Sequence, residues 1–185
     1  MLNKHNKINI YITIGGIGSR LKTITDLEKY NLYYLDKTIL QHTMNILPNS
    51  NIVGYIKTSS RKKTLEQIPH QNNILIIDCD IIPFQINLKD IDITQDNVYV
   101  FKSHKNKYGS INFDTKFSII EASEKNNISK YKCSGVYFCK NLHKTLEKMK
   151  DPDSIVSGMI GAKIIIENTF KRFGDVEDYY EAIGL

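Results

Sequence analysis

The chain has 185 residues and a formal net charge of +5. That length suits one domain, residues 1–185, with a sizeable core, and the composition is ordinary for a globular protein. No apolar run approaches the roughly 18 residues of a membrane span. Residues 1–7 carry no long apolar stretch of a secretory signal, so the expectation is a cytoplasmic protein that acts away from membranes. The positive charge is spread along the chain with no basic stripe or nucleic-acid motif, which argues against a nucleic-acid partner and leaves room for a small polyanion.

Residues 8–14 form a short β-branched apolar run and predict a buried strand. Gly15-Gly16-Ile17-Gly18-Ser19-Arg20-Leu21 follows at once. Tyr33-Tyr34-Leu35 reads as a strand, and 39–47 has helical apolar spacing stopped by Pro48. The run 51–57 predicts a second strand. The run 59–68 predicts a polar helix that starts on Ser59 or Ser60 and ends at Pro69. Ile74-Leu75-Ile76-Ile77 is the strongest buried strand and runs into Asp78-Cys79-Asp80. Further strands are expected over 98–102, 110–114, 117–122 and 131–139, then a helix over 142–149. A short helix over 155–162, a strand over 163–173 and a closing helix over 176–183 complete the chain. Alternation of strand and helix in the first half predicts a largely parallel sheet wrapped by helices, with a strand-richer second half.

Cys79, Cys133 and Cys139 form no Cys-x-x-Cys and read as reduced thiols. The five histidines have no metal-ligand spacing. Ser60-Arg61-Lys62-Lys63 reads as a solvated helix face. The glycine cluster is the informative element. Without a Cβ, backbone there can approach a ligand and turn its N–H groups toward a phosphate, and Arg20 adds a fork of donors. A tight turn with a solvated arginine is the alternative. The Gly-Lys-Ser/Thr of a P-loop is absent, and the third glycine of a dinucleotide fingerprint is missing at Leu21. Tyr33 and Lys37 have dehydrogenase spacing but fall too close behind the loop for that fold.

Taken with Thr25, Lys29 and Asp36-Lys37-Thr38, this loop resembles the signature of the sugar-phosphate nucleotidyltransferases. These include glucose-1-phosphate thymidylyltransferases, mannose-1-phosphate guanylyltransferases and phosphocholine cytidylyltransferases. Glu28 and Thr38 stand where that signature has proline. The resemblance implies an α/β, Rossmann-like nucleotide-diphospho-sugar transferase (GT-A-like) fold, with a mixed, mostly parallel central sheet flanked by helices. It implies that Gly15, Gly16, Gly18, Ser19 and Arg20 hold a triphosphate together with Lys29. Asp80, followed by Ile81 and Ile82, resembles the family's magnesium aspartate. Asp78 points the same way if the strand stays extended, and two carboxylates at i and i+2 suit Mg²⁺. Asp175 is the candidate for a further metal carboxylate.

Downstream, Tyr108-Gly109 and Glu124-Lys125 resemble the elements that touch the acceptor. Lys125 is expected to neutralise the acceptor phosphate and Glu124 to accept from a hydroxyl. Gly135, within Ser134-Gly135-Val136-Tyr137-Phe138, resembles the family's Gly-x-Tyr strand. The run 173–179 resembles its closing Trp-Gly-Thr-Pro-Glu-Asp element. Small-molecule substrates are therefore expected, an NTP and a sugar 1-phosphate or alcohol phosphate, with Mg²⁺ as cofactor; a homo-oligomer is compatible with the pattern. The base-reading segment between the second strand and Asp80 has no counterpart, and Ile14 replaces a small residue beside the base. Two other readings stay open. Asp78-Cys79-Asp80 is also the Asp-x-Asp of a glycosyltransferase, and a trimmed chain could serve as a nucleotide-binding regulatory subunit.

Overall fold

A computed structural model describes residues 8–14, 20–54, 60–69, 72–84, 86–124 and 126–185. The expectations for Gly15, Gly16, Gly18, Ser19 and Lys125 lie outside these residues, as does Ser59 as a cap. Strand β1 (Asn9–Ile14) opens the sheet. A short hairpin, β2 (Tyr33–Tyr34) and β3 (Lys37–Thr38), leads into α1 (Ile39–Ile46). Thr38 and Gln41 close a reciprocal capping box at the start of α1. β4 (Asn51–Gly54), α2 (Arg61–Leu65) and β5 (Asn72–Asp78) follow, then β6 (Ile81–Ile82), β7 (Asn97–Lys102), β8 (Ser110–Phe113), β9 (Ile119–Ser123) and β10 (Tyr131–Asn141). The chain ends with α3 (Leu142–Lys148), β11 (Lys163–Ile166), β12 (Lys171–Arg172) and α4 (Val176–Ile183), which Asp175 caps and Gly184, at φ 83°, ends.

The central sheet runs β11-β7-β10-β5-β1-β4. Three of these five pairings are parallel: β11 with β7, and β1 with both β5 and β4. β10 is antiparallel to β5 and β7, and β8 and β9 extend the sheet from it. This is the mostly parallel, helix-flanked α/β architecture expected from the sequence. Ile74 to Ile77 are fully buried on both faces of β5, which is why that run carries no polar alternation. Ile74 and Ile76 pack toward Leu65, Ile68, Leu142 and Leu146. Leu75 and Ile77 pack toward Ile10, Leu47 and Phe138 on the other side. The C-terminal ends of β1, β5 and β7 and the start of β10 meet at one edge, the place where open α/β sheets bind ligands.

Several expectations are corrected. The run 163–173 is not one strand: β11 ends at Ile166 and β12 joins β6 in a separate ribbon. Between them, the Glu167 carboxylate accepts from the Thr169 N–H and hydroxyl, and Asn168 accepts from the Lys102 N–H. These side-chain bonds take the backbone N–H groups of Lys102 and Thr169, and the Glu167–Thr169 bonds are local alternatives to strand extension. The run 155–162 holds only a 3-10 turn, Ile155–Gly158. Gly158 lies so close to α3 that a Cβ there would stand 2.3 Å from the Thr145 carbonyl. The helix expected over 59–68 is the shorter α2, capped by Ser60. Among the described residues, no helix is long and apolar enough to cross a membrane.

Central burial predicts a graded response to truncation. Ile77→Ala should cost about 2–5 kcal/mol in urea unfolding, by lost transfer energy and a residual cavity. Ile120→Ala, on the exposed face of β9, should stay within about 0.5 kcal/mol of wild type.

Candidate functional site

β5 stops at Asp78. The Cys79 N–H still donates to the Thr13 carbonyl of β1 at 3.1 Å, but the chain then turns, so Asp80 sits on a bend before β6 and not on an extended strand. The two carboxylates therefore do not simply share a strand face, as alternation would have it. Each is met by its own cation.

Asp78 is bound by Arg61, the first residue of α2. One guanidinium Nη donates to Oδ2 at 3.2 Å and the other donates to Oδ1. The Thr13 hydroxyl also donates to Oδ1, at 3.2 Å. Arg61 stacks over the Tyr137 ring, 5.1 Å from its centroid. Gly135, at φ 93°, lies directly behind: a Cβ there would stand 3.1 Å from Asp78 Oδ2. The positive φ favours glycine, and the close approach leaves little room for a Cβ.

Asp80 receives the Lys29 ammonium at 3.0 Å. Lys29 begins a 3-10 turn, Lys29–Asn31, ahead of the β2–β3 hairpin. Burial pushes the Asp80 carboxyl up, but Lys29, Arg172 and Arg61 reverse this and hold it below its ordinary 3.8. Burial pulls Lys29 down, and Asp80 more than restores it, so its ammonium is firmly charged. Arg172 donates through Nη1 to the carbonyls of Cys133 and Ser134 at 3.0 and 2.6 Å, and lies over the rings of Phe101 and Tyr108. The Phe173 N–H donates to the Asp80 carbonyl, and a Cβ on Gly174 would stand 3.6 Å from Asp80 Oδ2.

Thr13, Lys29, Arg61, Thr64, Asp78, Cys79 and Asp80 line a cavity of about 140 Å³. The structure thus brings Lys29, Asp78 and Asp80 together. Gly135 adjoins them through Asp78. Glu124 accepts from the Ser154 hydroxyl at 2.8 Å, and Gly109 packs against its carboxylate, where a Cβ would stand only 2.7 Å away. Arg20 is exposed, with its charge felt by Lys29 and Asp175. Asp175 caps α4 by accepting the Asp178 N–H and holds the Lys107 ammonium at 2.7 Å.

Among the described residues, no three His, Cys, Asp or Glu side chains gather to hold a metal. The donor chemistry still fits one Mg²⁺, at Asp80. Magnesium commonly takes one or two carboxylates and completes its shell with phosphate and water. Of the two aspartates, Asp80 keeps Oδ1 without a hydrogen bond among the described residues, while Asp78 has both oxygens on Arg61. Arg61 is the site residue that sequence reasoning missed. Its helix has five residues, too few for periodicity to reveal which side of it turns inward.

No protein-family model matches the chain, and no curated protein matches it in sequence. Solved structures do. The CTP:phosphocholine cytidylyltransferase from Streptococcus pneumoniae superposes with a TM-score of 0.77 at 13% identity, over 96% of this chain and 98% of that one. The nucleoside-diphosphate-sugar pyrophosphorylase from Vibrio cholerae RC9 gives 0.73 at 15% identity, over 95% and 100%. HddC from Yersinia pseudotuberculosis, complexed with GMP-PN, gives 0.71 at 18%, over 96% and 99%. The chain has the nucleotidyltransferase fold. That fold places the Asp78–Asp80 bend at the strand edge described above.

The Lys29–Asp80 contact has a pH signature. Lys29→Met leaves the half-buried Asp80 carboxylate without its nearest cation, so it should lose about 1–3 kcal/mol at neutral pH. A depressed carboxyl contributes stability above its unfolded value and loses it as pH falls through the folded one. The gap between wild type and Lys29→Met in urea unfolding should therefore narrow as pH falls below the ordinary carboxyl value of 3.8.

Proposed function

We propose that the protein is a nucleotidyltransferase that joins an NTP to a sugar 1-phosphate or an alcohol phosphate and releases pyrophosphate. The observation that carries this reading is Asp80, set on the turn after the central strand, held by Lys29 on one carboxylate oxygen and lining a small cavity with Lys29 and Arg61. The low-identity structural neighbours support it: their names describe cytidylyl transfer to phosphocholine and formation of nucleoside-diphosphate sugars.

In this reading an acceptor phosphate oxygen attacks the α-phosphorus of the NTP, and the bond to the β-phosphate oxygen breaks. The acceptor is already ionised, so no general base is needed. The protein's work is positioning and charge neutralisation. Asp80 would hold Mg²⁺, which would supply positive charge to offset the phosphates. Lys29 would balance charge on the α-phosphate. Arg20, with Gly15, Gly16, Gly18 and Ser19, would hold the departing pyrophosphate. Glu124, braced by Ser154 and by the closeness of Gly109, would accept from an acceptor hydroxyl, and Lys125 would meet the acceptor phosphate. The glycosyltransferase reading needs Asp78 free as half of a metal pair, and its bidentate bond to Arg61 speaks against that.

The test is pyrophosphate release from purified protein given Mg²⁺, each NTP and a panel of sugar and alcohol phosphates. Arg20→Ala and Asp80→Ala should each lower kcat/KM by about 10²–10³-fold, the loss typical of one preorganised charge-stabilising group. Undiminished activity in either variant would contradict the assignment. Hydrolysis of a nucleotide sugar without pyrophosphate release would favour the glycosyltransferase.

A further inference from the structure

The cavity at the end of β5 holds two cations, and the reaction above gives a task to Lys29 only. We infer that Arg61 is a binding residue for the acceptor phosphate, and that Asp78 is the positioning residue that orients it and not a ligand of the metal. The inference rests on the proposed function and names a part of that site which the sequence had assigned otherwise.

An arginine bound to a carboxylate through both Nη atoms has its plane fixed. Asp78 makes this contact, Thr13 steadies the carboxylate from β1, and the Tyr137 ring lies beneath the guanidinium. Arginine carries five N–H donors, and Asp78 takes two of them. The Arg61 Nε is buried and has no hydrogen-bond partner among the described residues. Buried polar groups in native proteins are nearly always paired, so a buried, unpartnered donor on a guanidinium that lines the cavity calls for a partner, which an anion drawn against Arg61 would supply. A phosphate suits it, because its oxygens match the spacing of parallel N–H donors.

Arg61 also stands on the acceptor side. The Lys62 N–H donates to the Pro152 carbonyl at 2.8 Å, and the Arg61 N–H donates to Asp153 Oδ1 at 3.2 Å. The start of α2 is thereby pinned to the segment that carries Ser154, which in turn holds Glu124. Lys29 reaches the cavity from the opposite part of the chain, ahead of the β2–β3 hairpin. Arg61 and Glu124 would thus frame the acceptor, and Lys29 and Asp80 the nucleotide.

Asp78 as Arg61's holder and Asp78 as a metal ligand lead to different measurements. Arg61→Ala, Arg61→Lys, Asp78→Asn and the Arg61→Ala/Asp78→Asn double variant would be assayed for pyrophosphate release. Mn²⁺ binding in the presence of NTP would be followed by electron paramagnetic resonance. Arg61→Ala should raise KM for the acceptor phosphate by about 10- to 100-fold, with KM for the NTP nearly unchanged. Asp78→Asn should shift the same constant in the same direction, and the double variant should be no worse than Arg61→Ala alone. Arg61→Lys keeps the charge but loses the fork, so it should fall between wild type and Arg61→Ala. The double variant also leaves no orphaned carboxylate, so it remains informative if Arg61→Ala fails to fold. Mn²⁺ affinity should survive Asp78→Asn and be lost in Asp80→Asn. Asp78→Asn weakening Mn²⁺ as much as Asp80→Asn, or Arg61 variants changing only the KM for NTP, would overturn the inference. A wild-type protein that releases no pyrophosphate sinks the proposed function itself, and the Mn²⁺ measurement still decides the role of Asp78.

Discussion

Two half-buried carboxylates at the end of the central strand each require a cation, and the chain brings those cations from separate directions. Lys29 comes from the turn ahead of the β2–β3 hairpin and Arg61 from the first residue of α2. A carboxylate at such a place is costly unless paired, so the bend at Asp78–Asp80 ties both elements to the sheet edge. Three glycines let backbone come close to these charged side chains, and at Gly135 the positive φ also favours glycine. Gly135 stands against Asp78, Gly174 against Asp178 and Asp80, and Gly109 against Glu124. The site is a set of close approaches between charged side chains and bare backbone, built where the parallel strands end.

The same arrangement separates two roles that the spacing of Asp78 and Asp80 had merged. A carboxylate bound on both oxygens by a guanidinium is a structural partner for that guanidinium, while one bound on a single oxygen by an ammonium can still meet a metal. Asp78 and Asp80 fall on either side of this line. On the proposed reading, Asp80 would take one divalent cation, with Lys29 and Arg61 as two protein cations beside it on the same cavity.

Much of the fold was legible because it depends on local chemistry. Ile74 to Ile77 announce a strand buried on both faces, and Pro48 stops α1. The break between β11 and β12 was hidden, because Ile164 to Phe170 is apolar enough for a strand and the interruption comes from side-chain bonds at Glu167 and Asn168. The role of Arg61 was hidden for a different reason. Ser60-Arg61-Lys62-Lys63 has the composition of a solvated surface, and only the sheet's three-dimensional arrangement turns one of its three basic residues inward onto Asp78. Lys29 and Asp80 were assigned to one site only through the resemblance, since 51 residues separate them, and their direct ion pair was not foreseen. Structural likeness at 12–19% identity shows that the fold outlasts most of the sequence around it.

The most direct measurement is a crystal structure of the protein with an NTP and Mn²⁺, with the metal located by its anomalous scattering. The account predicts one metal peak bound to Asp80 and to phosphate oxygens, with Lys29 against the nucleotide and Arg61 still on Asp78. A metal held by Asp78 with Arg61 displaced, or a nucleotide bound away from the end of β5, would contradict it.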